Sequence, residues 1–183
     1  QLFSTLEYFN FPKKEYEHIP FGTVNDADGN PFKTREGGTR KLIDLYDETY
    51  KYIKAINTEL DDTSLGLLSN TVLTYSDLIS NRNTDYKFDL EKFTNVNGKT
   101  GVYIQYANVR AQKLINDSTL EVSDFSISSK ELDNNDKSLL RSFIKFEFYF
   151  EQTIKNNEPH HLADYLYEIS QKFNGMYQGI NIL

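Results

Sequence analysis

The sequence predicts a mainly α-helical chain in which a helical bundle follows a short α/β stretch. Three observations lead there. Apolar residues recur at three- and four-residue spacing in runs beginning near Leu42, Leu65, Leu139 and Leu162. Residues able to cap a helix stand ahead of several runs: Thr39, the Asp61-Asp62-Thr63 group and Thr100. Strand-like sequence is confined to short segments near residues 18–24 and 86–90.

Taken in order, Leu2, Phe3, Leu6 and Phe9 form the apolar face of a helix end that halts near Asn10 and Pro12. His18 to Val24 reads as a short strand, which Pro20 restricts to an edge or an end, with His18 as a strand-edge polar residue. Asp28-Gly29-Asn30-Pro31 is a turn, because glycine accepts positive φ and proline fixes the exit. A calcium loop starting at Asp26 fails on spacing: its sixth position is Pro31 and its twelfth is Gly37. Leu42, Ile43, Tyr46, Tyr50, Ile53 and Ile56 then share one helix face, capped by Thr39. Leu65, Leu68, Val72, Tyr75 and Ile79 mark the next helix, which ends in Ser80 to Asp85. Tyr86, Phe88 and Leu90 alternate with Lys87 and Asp89 and predict a short strand.

Asn97-Gly98, inside the turn from Asn95 to Lys99, is the expected domain boundary. Thr100 caps a helix on which Tyr103, Tyr106 or Ala107, and Arg110 can share a face. Asp117 to Asp133 has little periodicity and reads as a loop or a short irregular helix. Leu139, Leu140, Phe143, Ile144, Phe148 and Phe150 load one helix from about Asn135 to Lys155, ended by Asn156-Asn157. Pro159 opens the last helix, where Leu162, Tyr165, Leu166, Ile169, Phe173, Met176 and Tyr177 form a continuous stripe before Gly179. His160 and His161 read as helix-start polar residues, and no metal site is expected.

Phe32-Lys33-Thr34-Arg35-Glu36-Gly37-Gly38 sets two cations and a hydroxyl beside glycines, just ahead of a helix. From these residues alone two readings stand. The segment is an ordinary solvated loop, or its cations and the helix N-terminus converge on a triphosphate.

Composition narrows the classes. The chain has 183 residues, an apolar content of 38% and a formal charge of −7. That charge is spread as −2 over residues 1–60, −3 over 61–94 and −2 over 95–183. No segment is basic, so nonspecific phosphate binding is not expected; selective binding of a folded RNA through a local patch and stacked rings remains open. Tyr and Phe number 13 each, which supplies rings for packing or base stacking. Cysteine is absent, which fits a reducing, cytoplasmic setting, and nothing resembles a membrane span.

The run GxVxxxDGxPFKTREGGTxKLxDLxDE, from Gly22 to Glu48, closely resembles the end of the catalytic domain in arginyl-tRNA synthetases. Three further segments resemble the same family in the same order: TYSDLISNRNTDYKFDLEKF, TGVYIQYANVRAQKLI and EPHHLADYLYEISQKFNGMYQGINIL. The resemblance implies a helical bundle of the class I synthetase anticodon-binding type, preceded by a short remnant of the catalytic domain. It divides the chain into 1–47, with the signature loop; 48–94, connecting helices and a strand; and 95–183, the anticodon-binding bundle. The family's His-Ile-Gly-His signature and arginine pocket are expected ahead of Gln1, and a further helical segment after Leu183.

The loop then corresponds to the family's degenerate form of the Lys-Met-Ser-Lys-Ser signature. With Gly38 as anchor, Thr34 falls at its serine, Arg35 at its second lysine, Phe32 at its first lysine and Lys33 at its methionine. Arg35, Thr34 and Lys33 are the implied catalytic residues, and Phe32, Glu36, Gly37 and Gly38 the rest of the ATP-binding loop. Tyr103, Tyr106, Arg110, Arg82, Phe173 and Tyr177 are the candidate tRNA contacts; the alternative for Tyr103, Tyr106, Phe173 and Tyr177 is a place in the bundle core at helical spacing, and for Arg82 a local pairing role. The implied partners are tRNA-Arg, with arginine and ATP (Mg2+ bound to the nucleotide) acting through the other catalytic half. This chain alone is expected to be inactive and to bind no cofactor, and a monomer is expected. Two rivals are a noncatalytic helical RNA-binding module and a helical protein-interaction domain.

Overall fold

The computed structural model describes residues 1–12, 14–26, 28–31, 41–118 and 132–179. The signature loop, Thr39 and the segment 119–131 therefore lie outside the described residues. Helix α1 (Leu2–Tyr8) ends where Asn10 turns left-handed at φ 52°. The strand expected from His18 is shorter than the sequence suggests. Only β1 (Val24–Asn25) forms, paired in parallel with β2 (Tyr86–Lys87) in the register Val24↔Tyr86. The turn after β1 forms as expected: Asn30 N donates to Asp26 Oδ1 at 2.8 Å, and Gly29 takes φ 91°.

Helix α2 (Leu42–Ile56) begins after Lys41, whose amide donates to Asp44 Oδ2 at 2.9 Å. Helix α3 (Asp62–Leu78) is capped by Asp61, which accepts from Ser64 N at 2.6 Å. Past β2 the strand expected to reach Leu90 gives way to α4 (Leu90–Phe93), because Asp89 caps it by accepting from Lys92 N at 3.1 Å. Thr100 caps α5 (Gly101–Asp117) as expected, accepting from Tyr103 N at 3.2 Å.

The single helix expected between residues 135 and 155 is two: α6 (Asn134–Ile144) and α7 (Phe146–Asn156). The break falls at Lys145, whose amide bonds back to Ser142 O, three residues away. Helix α8 (His160–Gly179) then packs against α5, α6 and α7, while α3 packs against α2 and α5. These two hubs make the bundle, and α5 joins them.

The front core is Ile53, Leu65 and Val72, with Tyr50, Leu68, Phe93 and Val102 packed on it. Val102 belongs to α5, so this core crosses the turn at Asn95. Three of the fully buried side chains are small and hydroxylated: Thr49, Ser69 and Ser142. Each hydroxyl is satisfied by its own helix, Thr49 by Leu45 O at 2.7 Å and Ser69 by Leu65 O at 2.7 Å. Tyr75 crosses from α3 to donate to Ala163 O on α8 at 3.1 Å, and its burial pushes the phenol up from its ordinary value.

Glu168 closes the back half. Its carboxylate accepts from Lys172 at 2.7 Å, Lys145 at 3.1 Å and the Tyr149 hydroxyl at 3.1 Å, tying α8 to the break before α7. Lys172, then Lys145 and Tyr149, hold it down at about 2 against the opposing effect of burial. A carboxylate depressed in the folded state stabilises above its unfolded value, near 4.5, and loses that contribution as pH falls toward about 2. Unfolding midpoints should therefore drop between about pH 5 and pH 2. Glu168→Gln should remove roughly 1–2 kcal/mol at pH 7, after allowance for solvent around the lysines, and flatten that pH dependence. Urea titrations of both proteins at pH 3 and 7 read the difference.

Candidate nucleic-acid interface

Helices α5 and α8 lie side by side, and their seam carries most of the rings singled out in the sequence. Ala107 is buried in it, which turns Tyr106 to the surface and Arg110, one turn on, toward α8. The Arg110 guanidinium carbon lies 4.0 Å from the centre of the Tyr106 ring and 4.8 Å from that of Tyr177. Arg110 also donates to the Tyr106 hydroxyl through Nη2 and to Asn174 Oδ1 through Nη1 at 3.0 Å. Phe173 packs on Tyr177 with ring centres 6.0 Å apart. Four of the six candidates thus meet in one patch: Tyr106, Arg110, Phe173 and Tyr177.

A cation between two tyrosine rings is an arrangement that suits RNA. The rings offer faces for unstacked bases, and the guanidinium stacks or pairs with phosphate. Tyr106 is 47% exposed, so its surface is open to a ligand.

The remaining two candidates stand apart from this patch. Tyr103 has its ring on Tyr167, 5.3 Å away, beside the Lys99–Asp164 ion pair. Arg82 lies at the corner between α3 and α8. It donates to Pro20 O at 2.6 Å, Asn157 O at 2.9 Å and Asn156 O at 3.4 Å, which joins the β1 approach to the start of α8. A cleft of about 530 Å³ opens beside it, lined by Phe21, Thr23, Pro31, Arg82 and Pro159. Pro31 leads directly into the signature loop, whose seven residues lie outside the described set.

Among the described residues one set of imidazole and carboxylate donors converges: Glu158, His160 and His161, with ligating atoms within 4.8 Å of one another. The sequence alone places no metal-ligand arrangement on the two histidines; in the fold Glu158 joins them. His161 Nε2 already meets Glu158 Oε2 at 3.0 Å, the trio sits at the positive end of α8, and Arg82 is bonded to the adjacent Asn157 carbonyl.

Sequence reasoning missed Asn174 and Tyr167. Asn174 interrupts the apolar stripe of α8 beside Phe173, and a polar residue inside such a stripe was the available signal. Leu166, read as part of that stripe, is 43% exposed. The face that packs instead includes Ala163, Ser170 and Asn174.

Residues 1–90 match the catalytic-domain family of class I tRNA synthetases of the arginine type, and residues 104–183 match the DALR anticodon binding domain. The arginine–tRNA ligase of Francisella tularensis subsp. novicida is 35% identical over 187 residues, spanning 97% of this chain and 32% of that protein. The chain thus covers about a third of the length of the curated relatives it matches. The arginyl-tRNA synthetase of Plasmodium falciparum superposes with a TM-score of 0.70 at 28% identity, over 100% of this chain and 32% of that one. That of Thermus thermophilus shares the fold at a TM-score of 0.75 and 19% identity, over 87% of this chain and 27% of that one.

Proposed function

The chain belongs to the arginyl-tRNA synthetase family, and on that premise we propose that it supplies the anticodon-binding bundle and the signature loop of an arginine–tRNA ligase. The parent reaction joins arginine to ATP as an adenylate, releases pyrophosphate and passes the arginyl group to the 3′ end of tRNA-Arg. The observation that carries this reading is Arg110 held between Tyr106 and Tyr177, within the segment that matches an anticodon-binding family. In this reading Tyr106, Arg110, Phe173 and Tyr177 meet unstacked bases and phosphate. Tyr103 supports α5 through Tyr167, and Arg82 acts through the corner it clamps.

Residues 1–47 would belong to the catalytic domain, 48–94 would connect, and 95–183 would form the bundle. Lys33, Thr34 and Arg35 would face the ATP phosphates, with Phe32, Glu36, Gly37 and Gly38 shaping the loop. Arginine, and Mg2+ carried by the nucleotide, would be held mostly by residues outside this chain. No helix among the described residues is long and apolar enough to cross a membrane, and we take the enzyme to be a cytoplasmic monomer.

Tyr106→Ala and Arg110→Ala should each weaken tRNA-Arg binding by about tenfold or more, given roughly 1–3 kcal/mol per stacked base. Helical content by circular dichroism should stay unchanged. Filter binding against tRNA-Arg and an unrelated tRNA checks this, and undiminished affinity in both variants would remove the assignment.

A further inference from the structure

Asn174 is 5% exposed on the α8 face that packs in the bundle. Its amide has one orientation only, because a guanidinium carries donors alone and Arg110 Nη1 therefore faces Oδ1. The other end, Nδ2, is buried with no hydrogen-bond partner among the described residues. An unmade buried donor is destabilising, and a leucine of similar size would not suffer it. Packing alone therefore gives no reason for an amide here. The hydrogen bond to Arg110 does.

We propose that Asn174 is a positioning residue for tRNA binding: its buried carbonyl fixes the Arg110 guanidinium between Tyr106 and Tyr177 before RNA arrives. The inference rests on the reading of this face as the tRNA-binding surface and adds what presets it. Arg110 reaches from α5 through a long, rotamer-rich side chain, which would otherwise be ordered at the moment of binding. Two bonds from separate helices remove that freedom in advance. One comes from Asn174 on α8, and the other runs to the Tyr106 hydroxyl on α5 itself. Asn174 touches no ligand in this account. It works through Arg110.

The test is a double-mutant cycle on the full chain, with a tRNA-Arg transcript as the probe. Asn174→Leu should lower affinity about five- to tenfold while its thermal midpoint stays level or rises, since the unpaired donor has gone. In an Arg110→Ala background the same substitution should change affinity less than twofold. Asn174→Ala serves as a second variant, read at a temperature where it is fully folded, and should lose affinity similarly. Independently of RNA, 15N relaxation at Arg110 Nε should show a rigid side chain in the parent and a mobile one in Asn174→Leu. Parent-like affinity in both Asn174 variants would overturn the proposal, as would a loss that persists in the Arg110→Ala background or an Arg110 equally rigid without Asn174. If Arg110→Ala itself binds tRNA-Arg normally, the RNA reading of this face fails and takes the proposal with it, and a changed relaxation then shows only that Asn174 orders the Arg110 side chain.

Discussion

Replacing Arg35 by alanine in the full-length enzyme is expected to slow arginine activation by about 10²- to 10³-fold, while affinity for tRNA-Arg stays within twofold. During adenylate formation negative charge grows on the pentavalent α-phosphate and on the departing pyrophosphate. A cation fixed where that charge appears lowers the barrier, whereas one that binds ground-state ATP equally well does not. In the proposed reading Arg35 takes the place of the signature's second lysine, ahead of α2 in the chain, whereas the patch assigned to tRNA lies on α5 and α8. The two activities should therefore separate. ATP–pyrophosphate exchange in the presence of tRNA-Arg measures the first, and filter binding the second. Unchanged exchange would take the catalytic role from Arg35, and Thr34→Ala and Lys33→Ala would then locate it.

Gly101→Val is expected to destabilise the bundle by about 3 kcal/mol, more than any surface change proposed above. The first turn of α5 lies so close to α3 that a Cβ on Gly101 would stand 2.6 Å from the Thr71 carbonyl oxygen and 2.9 Å from Thr71 Cγ2. The nearer of these atoms is helix backbone, which cannot rotate away. To admit a branched side chain, α5 must move off α3 and pull Val102 from the front core of Ile53, Leu65 and Val72. Gly101→Ala should show a smaller loss in the same direction. Urea unfolding followed by circular dichroism reads both, and a valine variant as stable as the parent would contradict the close packing of α3 on α5.

Much of this fold was legible because helix ends carry local chemistry. Asp61 and Thr100 cap where their side chains suggest, and Gly29 takes the positive φ its turn needs. The break at Lys145 had no such mark. No proline or glycine stands there, and the break is visible only in the backbone, where the Lys145 amide bonds to Ser142 O, and in the Lys145 contact to Glu168 on α8. Core membership was misread for a related reason. The sequence offered long apolar residues, yet Leu166, Phe148 and Ile144 are exposed, while Ser69 and Ser142 are buried where helices touch. Small hydroxyl residues satisfy themselves on their own helix, so a hydropathy pattern passes over them.

The site divides along the same line. Spacing put Tyr106 and Arg110 one turn apart on α5, and Phe173 and Tyr177 one turn apart on α8. What brings the pairs together is the register of α8 against α5, which spacing within one helix cannot report. Asn174, the acceptor that links them, was hidden by being buried and polar at once.

In the reading proposed here, the α5–α8 face meets the anticodon arm of tRNA-Arg. A competition assay on the full chain can use tRNA-Arg, an unrelated tRNA, and tRNA-Arg whose anticodon loop alone has been exchanged for that of the unrelated tRNA. The exchanged molecule should lose at least tenfold in affinity and compete no better than the unrelated tRNA. Equal competition by native and loop-exchanged tRNA-Arg would contradict it.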